Sequence, residues 1–595
     1  MRISDWTLRV GQLEDLSELL KLDRSAQWHS VAAEARPFLV AASYLKQPRK
    51  LLIVTPNYER ALVWQAKLGL SGVPQDRICQ LPSGTSVFFE DAAPEHIALS
   101  DRLGALHRLT QDKPFVVIAT PQSVLERTLP KEVLQEAFVR IEVHATLNTE
   151  SLLRQLVNLG YEAQEPVRIP GQFSKRGGIL DIFTTGLDLP VRIELMGDEV
   201  ESLRLFDPNT QRSIRKITEF SISPSRETIY TGDSEAADLI EHSCNIESNS
   251  LDDTAAERLQ ELIAQDAEAL REKLYFDRLD LYRPILHPDS GCALDLLGEE
   301  DVVLLDEPLE LELLANRAEE ELRQALEARA RRGEILHSPA TDFVLGAEHL
   351  ASHSQTVAMS GMNSIPDWIP FQTPHEVQAI SLEPYRGRAQ ALTQTLKNYI
   401  ESGFTIVVSS DQPNRATSVM AQGEMYVTSE ADSPDSKGPF LATGNLGGGF
   451  VLLKQKLAVL TDAELFGVAR LKLPQRRFSE GSPVATVLDL RPGDYVVHIN
   501  FGLGIFRGLT KKAIDGVEKE FLYLEYQAPD KLFVPADQLD RIQKYLNPSD
   551  TMPKLNRLSG SEWQKTLSKA KEDAKAFARD LVKLYAERKR VERPS

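Results

Sequence analysis

Three arginines and one acidic pair are the residues of this chain whose types and spacing could carry chemistry. Arg176, Arg192 and Arg204 lie on or beside short apolar runs between Gly171 and Asp207. Guanidinium groups gathered on one sheet surface bind carboxylates through paired, charge-assisted hydrogen bonds. The same pattern also fits an ordinary antiparallel sheet whose arginines are solvated. Asp306-Glu307 ends the apolar run Val302 to Leu305, the form of a magnesium-holding strand in a nucleotide-binding sheet. That chemistry needs a glycine-rich phosphate loop, and no GxxxxGK(S/T) occurs anywhere in the chain. The triplet Gly447-Gly448-Gly449 lacks the lysine and leads into a strand pattern, so it is expected to be a turn. With no phosphate to serve, Asp306 is expected to cap the helix that starts near Pro308 and continues through Leu322.

The elements that must hold these residues can be read from periodicity and turn chemistry. Ile179 to Phe183, Val191 to Leu195 and Val200 to Phe206 are strand-like, separated by Gly177-Gly178, the Gly186 to Pro190 loop and Gly197-Asp198. A helix over 151–158 precedes them and the segment Ile214 to Ser221 follows. Around this β-rich insertion, strands at Leu51 to Val54 and Phe115 to Ala119 alternate with helix-like Glu59 to Leu68 and a helical start at Gln122-Ser123. Strand–helix alternation predicts a doubly wound parallel sheet. Residues 9–23 give an amphipathic helix pattern, and Ser30 to Ala42 a small-residue segment. Residues 355–472 predict a further small α/β domain, with a helix at 388–399 and strands at 404–408, 447–452 and 457–462. Polar and turn residues over 473–489 mark a linker. Strands at 495–499, 504–509, 520–526 and 531–535, with glycines 502, 504, 508 and 516 at corners, predict a small SH3- or Tudor-like barrel over 490–548. Within it, alternation puts Phe521, Tyr523 and Glu525 on one face and Leu522, Leu524 and Tyr526 on the other. A heptad-like stripe from Trp563 to Leu584 predicts a long helix over 559–591.

The strings RGGILDIF and PVRIELMGDEVESLRLFD resemble the module that the excision-repair protein UvrB shares with the Mfd family of bacterial transcription-repair coupling factors. The resemblance implies that residues 137–222 dock UvrA through Arg176, Arg192 and Met196, the last standing where an aromatic is usual. It implies that 1–136 and 223–350 are two parts of a UvrB-like, degenerate ATPase-type domain. The phosphate loop would fall on Val31 to Phe38. There Ala33 and Ala35 replace glycines, Glu34 would repel phosphate, Arg36 stands at the lysine and Pro37 at the hydroxyl. RPGDYVVHINFGLGIFRGL and FLYLEYQAPDKLFVP resemble the RNA-polymerase-interacting domain shared with CarD-type regulators. That domain pairs an exposed strand edge with the polymerase β subunit, here placed near Leu509, Thr510, Lys511 and Lys512. In the family the final helix runs into an ATP- and magnesium-dependent DNA translocase motor, whereas this sequence stops at Ser595. The expected role is therefore an adaptor between stalled RNA polymerase and UvrA, with no catalytic residue, metal or cofactor of its own. The rival reading is a CarD-like regulator whose front half is scaffold.

Composition bounds these readings. With 595 residues and 42% hydrophobic content, the chain supports three to five domains with sizeable cores. Cys79, Cys244 and Cys292 are widely spaced and read as reduced thiols. No secretory signal pattern or membrane-length apolar run is present, so a cytoplasmic protein is expected. A net charge of −19 argues against extensive DNA binding, although residues 551–595 carry twelve Lys or Arg against six Asp or Glu.

Overall fold

The computed structural model describes residues 2–11, 26–84, 96–471 and 495–544, less short stretches at 186, 188, 209, 231–233, 273–275, 277, 338–342, 362–368, 370–372, 384, 386–388, 428–437, 468–470, 499–501, 515–516, 528–530 and 536–541. The chain divides into two compact units, 1–474 and 475–595.

The first unit is built on short strands, of which LLIV, VVIA and VVLLD are apolar runs. The first four are β1 (Ala26–Val31), β2 (Leu51–Val54), β3 (Ile78–Leu81) and β4 (Val116–Ala119). The inserted module supplies β5 (Val139–Glu142), β6 (Glu162–Ala163), β7 (Gln172–Arg176), β8 (Ile179–Phe183), β9 (Val191–Met196), β10 (Glu199–Phe206), β11 (Ser213–Ile217) and β12 (Glu219–Ile222). The chain then returns with β13 (Val302–Asp306), β14 (Thr356–Met359), β15 (Thr373–Ser381), β16 (Thr405–Ser410), β17 (Phe440–Thr443), β18 (Phe450–Leu452) and β19 (Leu457–Thr461).

One eleven-stranded sheet runs β17-β16-β19-β18-β15-β1-β14-β13-β2-β4-β3. It is parallel except for β18, which is antiparallel to both neighbours. Its central strands are buried on both faces, as parallel sheets require: Leu51 and Ile53 enter one core while Leu52 and Val54 enter the other. The predicted α/β segment 355–472 is thus not a sheet of its own. Its strands extend the front sheet, and β1 sits between β14 and β15. It does keep a separate hydrophobic core, around Leu396, Ile406, Val408, Met420 and Leu460.

Several elements differ from their sequence expectation. Ser30 to Ala42 is divided between the end of β1 and a helix, Arg36–Lys46, that starts with Pro37 in its first turn. β1 (AQWHSV) has no apolar run, and its strand state comes from the two neighbours that pair with it. The helix after β13 is longer than predicted, Pro308–Arg331. The described N-terminal helix is Ile3–Gly11; the remainder of the predicted 9–23 helix lies outside the described residues.

The module forms a six-stranded sheet, β11-β10-β9-β8-β7-β6, beside a two-stranded β12-β5 ribbon. Leu180, Ile182, Val191, Ile193, Val200 and Leu203 point inward and join the same core as one face of the large sheet. The module is therefore anchored by shared packing, and a small separate cluster, Val167, Phe183 and Phe206, is buried apart from that core.

The second unit holds β20 (Tyr495–His498), β21 (Gly502–Ile514), β22 (Val517–Glu525), β23 (Lys531–Pro535) and β24 (Ile542–Lys544), in the antiparallel order β23-β22-β21-β20-β24. Leu522, Leu524 and Tyr526 are buried, on the face that alternation assigned to them. Gly504 and Gly508 are not corners but lie inside β21. Gly504 packs where a Cβ would stand 3.1 Å from the Tyr526 ring, and Gly508 takes φ +127° at a register shift. Among the described residues no pairing joins β23 to β24. The predicted 473–489 linker and 559–591 helix lie outside the described residues.

Candidate protein-docking sites

Alternation along β7 to β11 decides which side chains face out. Opposite partners in the ladder share a face, and the register places Ser174, Asp181, Arg192, Arg204 and Lys216 in one row across five strands. Arg176, Ile179, Glu194 and Ser202 form the next row. Both hairpin tips lie beyond it at the same end of the sheet. Gly177 and Gly197 supply the positive φ values, +57° and +65°, that tight turns need. Gly178 lets the tips close up: its carbonyl accepts from Leu195 at 2.8 Å, and a Cβ there would stand 2.9 Å from the Leu195 oxygen.

The arginines do gather on one surface, as expected, but they are not free. Asp181, only 1% exposed, accepts both Arg192 Nε and Arg192 Nη2 at 2.7 Å, and Arg176 Nη2 at 3.1 Å. Arg192 also lies over the Phe206 ring, 4.6 Å from its centroid. The hydrogen bond to Asp181 raises the Arg192 pKa, against a smaller burial effect. Arg192 is 15% exposed and Arg176 45%. Arg176 is thus the outward-facing cation of the pair, with Glu165 3.4 Å from its Nη1. Met196, 68% exposed at the β9–β10 tip, adds an apolar contact beside it. Arg204 pairs with Glu194 at 3.1 Å. This arrangement can grip acidic side chains of a partner without reorganising, because Asp181 already fixes the guanidinium planes.

The end of β13 is arranged differently. Arg36, at the position that resembles a phosphate-loop lysine, is buried and ion-paired to Asp306 and Glu307. Its Nε and Nη2 also donate to the Val31 carbonyl at 3.0 and 2.8 Å. Asp306 accepts from Arg60 Nε at 2.6 Å and Trp64 Nε1 at 2.8 Å. Burial alone would raise the Asp306 carboxyl, but Arg36, Arg60 and these hydrogen bonds outweigh it and leave the carboxyl below its ordinary value. Asp306 therefore does not cap the following helix. The cap position is Glu307, at φ +62° with no side-chain capping bond, and its carboxylate accepts from Gly361 N at 3.1 Å. The acid that sequence alone would spend on a helix end is spent on Arg36, which is buried, and Arg60, which is 30% exposed; desolvation of the buried guanidinium is the larger cost.

Ala33 and Ala35 sit in the turn before the Arg36–Lys46 helix, and Pro37 in its first turn. Glu34 accepts from Ser381 Oγ at 2.6 Å and lies against Gly448, where a Cβ would be 2.8 Å from Glu34 Cγ. The Gly449 amide donates to Glu464 at 3.0 Å. The glycine triplet is thus a close-packed turn. A concavity of about 460 Å³ at the carboxyl ends of β2, β3 and β4, lined by Asn57, Tyr58, Thr120 and Arg317, contains neither acid of β13.

In the second unit, Leu509, Thr510, Lys511 and Lys512 all lie in β21 and pair with Leu522, Phe521, Glu520 and Lys519 of β22. On the other edge β20 pairs only as far as Ile505. Among the described residues, the 506–514 portion of β21 therefore has one ladder partner and one open edge.

Sequence reasoning missed Asp181, Arg60 and Trp64. Asp181 left a signal, a lone acid within ILDIF, which must find a cation if the strand is buried. Arg60 and Trp64 are spaced i, i+4 and so share one helix face, but only the return of β13 beside β2 brings Asp306 to them.

Comparison with known proteins places these surfaces within families. Residues 139–227 match the UvrB interaction domain, 490–546 the CarD-like/TRCF RID domain, and 381–467 the Rossmann-like domain of cyanobacterial Mfd. The chain is similar to the transcription-repair-coupling factor of Bacillus subtilis, 29% identical across 94% of this chain and 48% of that protein. Similar relatives occur in Myxococcus xanthus, 28% identical across 86% and 44%, and in Staphylococcus aureus, 27% across 94% and 48%. The chain spans about half the length of these curated relatives.

Proposed function

We propose that this chain, which carries the UvrB interaction and CarD-like/TRCF RID domains of transcription-repair-coupling factors in that order, is the adaptor part of such a factor. Its first unit docks UvrA on the outer face of β7 to β10, through Arg176, Arg192 and Met196. Its second unit docks RNA polymerase, through the β subunit, on the open edge of β21 around Leu509 to Lys512. The observation that carries the first assignment is the exposed Arg176 held beside Arg192 by one buried aspartate, with Met196 at the adjoining tip. For the second it is the strand edge left without a ladder partner. The resemblance further implies that a complete factor of this kind is an ATP-driven DNA translocase. In this reading ATP and magnesium serve its motor, and the sealed end of β13 takes no part.

The test is separate titration of UvrA and RNA polymerase into the full chain. Arg176→Ala should weaken UvrA binding and leave polymerase binding intact. Neighbouring strand residues direct their N–H groups to opposite edges, so Thr510→Pro and Lys511→Pro remove donors from different sides of β21. Whichever faces the open edge should abolish polymerase binding in a folded protein without affecting UvrA. Retention of polymerase by both folded variants rejects the β21 edge. Unchanged UvrA affinity in Arg176→Ala rejects the β7–β10 face.

A further inference from the structure

The outer face of the module carries more positive charge than Arg176 and Arg192 account for. Arg192 lies opposite Arg204, and Arg204 opposite Lys216, so three cations face one another across neighbouring strands. Like charges set opposite in a ladder work against it, and folding alone does not need them. The first two are neutralised within the face, Arg192 by Asp181 and Arg204 by Glu194, which also accepts from Ser202. Lys216 is exposed, and among the described residues no ion pair or hydrogen bond engages its side chain. It sits on β11, the outer edge of the sheet, which pairs with β10 alone. The register skips Ile214, bulging it from the strand, and that side chain is 58% exposed. Bulges re-aim side chains at sheet edges. In a chain of net charge −19 this is a local concentration of unspent cation next to an exposed aliphatic group.

We propose that Arg204 and Lys216, with Ile214 at the rim, extend the UvrA-docking site across the sheet to its β11 edge and determine its specificity for an acidic protein surface. This rests on the reading of the same face given above. A protein fits better than a nucleic acid for two reasons on the face itself. The carboxylate of Glu194, 30% exposed, stands among the cations and would work against a phosphate backbone. The apolar ends, Met196 and Ile214, offer contacts that phosphates cannot use. Opposite charges across such a surface set association rate and partner choice, and they weaken with added salt.

The experiment is titration of UvrA into the full chain at two ionic strengths, for wild type, Lys216→Glu, Lys216→Arg, Arg204→Gln and Arg176→Ala, with duplex DNA as a second titrant. Lys216→Glu is expected to weaken UvrA binding about tenfold at low salt, and less at high salt. Lys216→Arg should preserve binding, and Arg204→Gln should lose a few-fold. Lys216 is exposed, so Lys216→Glu should melt with wild type, which removes misfolding as an explanation. If Arg176→Ala weakens UvrA while Lys216→Glu stays within twofold, the extension is wrong and the original site stands. If none of the variants alters UvrA binding, the underlying reading fails. If Lys216→Glu loses DNA and keeps UvrA, the edge serves nucleic acid and the proposal is overturned.

Discussion

Two places in the first unit use the same device and reach opposite ends. At the tip of β13, Arg36 and Arg60 converge on Asp306; on the module, Arg192 and Arg176 converge on Asp181. Both aspartates are buried, at 0% and 1% exposure. The difference lies in the arginines. Arg36 is as buried as its acid and donates its remaining N–H groups to Val31, so the site is closed and its charges satisfy one another. Arg176 is 45% exposed and keeps donors for a partner. The β13 cluster is a plug built round a buried inner guanidinium, Arg36 at 1% exposure against 15% for Arg192, while the outer cations Arg60 and Arg176 are 30% and 45% exposed.

The contrast can be broken first at the plug. Asp306→Ala leaves Arg36 buried with only Glu307, and should cost about 3–5 kcal/mol of unfolding free energy. Urea denaturation measures it, and near-wild-type stability would show that the cluster is not closed. At the docking face, Arg192→Ala strips Asp181 of its bidentate partner but leaves Arg176, so a smaller loss of about 2 kcal/mol is expected. Arg176→Ala should change stability by less than about 0.5 kcal/mol, as for other exposed pairs. For that reason UvrA titration of Arg176→Ala is the cleaner binding test, and a binding loss in Arg192→Ala must be corrected for unfolding.

Acid sharpens the same comparison. The Asp306 carboxyl is depressed in the folded state, so the stability it contributes is full above the ordinary aspartate value near about 4 and is lost as pH falls through the lower folded value. In Asp306→Asn that part of the acid limb should vanish, giving a shallower fall of stability below about pH 4. Parallel curves for the two proteins would contradict the charge balance described at the plug. Met196→Ala should weaken UvrA by a few-fold, about 0.5–1 kcal/mol, with melting temperature unchanged, since the side chain is 68% exposed and supports nothing in the fold. The smallest effect is expected from ATP with magnesium, which should leave the melting temperature of this chain where it was. A concentration-dependent rise would mean the plug opens.

Much of this was legible from residue order. Strand periodicity and turn chemistry located β8, β9 and β10, and with them the outward row that holds Arg192 and Arg204, because alternation is a local property of a strand. The buried face of β22 followed from the same rule. Polar strands were not legible. β7 (QFSKR) and β1 (AQWHSV) lack an apolar run; β7 is a strand because it closes a hairpin with β8, and β1 because β14 and β15, from far along the chain, pair with it. Nor could sequence say that 355–472 would extend the front sheet, since that depends on β15 meeting β1 some 340 residues away.

The fate of the charged residues divides in the same way. Sequence by itself determined that Arg36 stands among alanines, with no GxxxxGK(S/T) in the given chain, and that Arg176 and Arg192 belonged to one β-rich module. Local pattern suggested a helix cap for Asp306, because a carboxylate before a proline-started helix has that use in isolation. Only the tertiary structure decided otherwise, by bringing the buried Arg36 and the partly exposed Arg60 within reach of the same carboxylate. An ion pair across 270 positions outweighs a cap bond three residues away, because desolvated charge costs more than an unsatisfied helix end. The arginines of the module were decided likewise: residue type supplied the cations, and pairing with the buried Asp181 leaves Arg192 15% and Arg176 45% exposed.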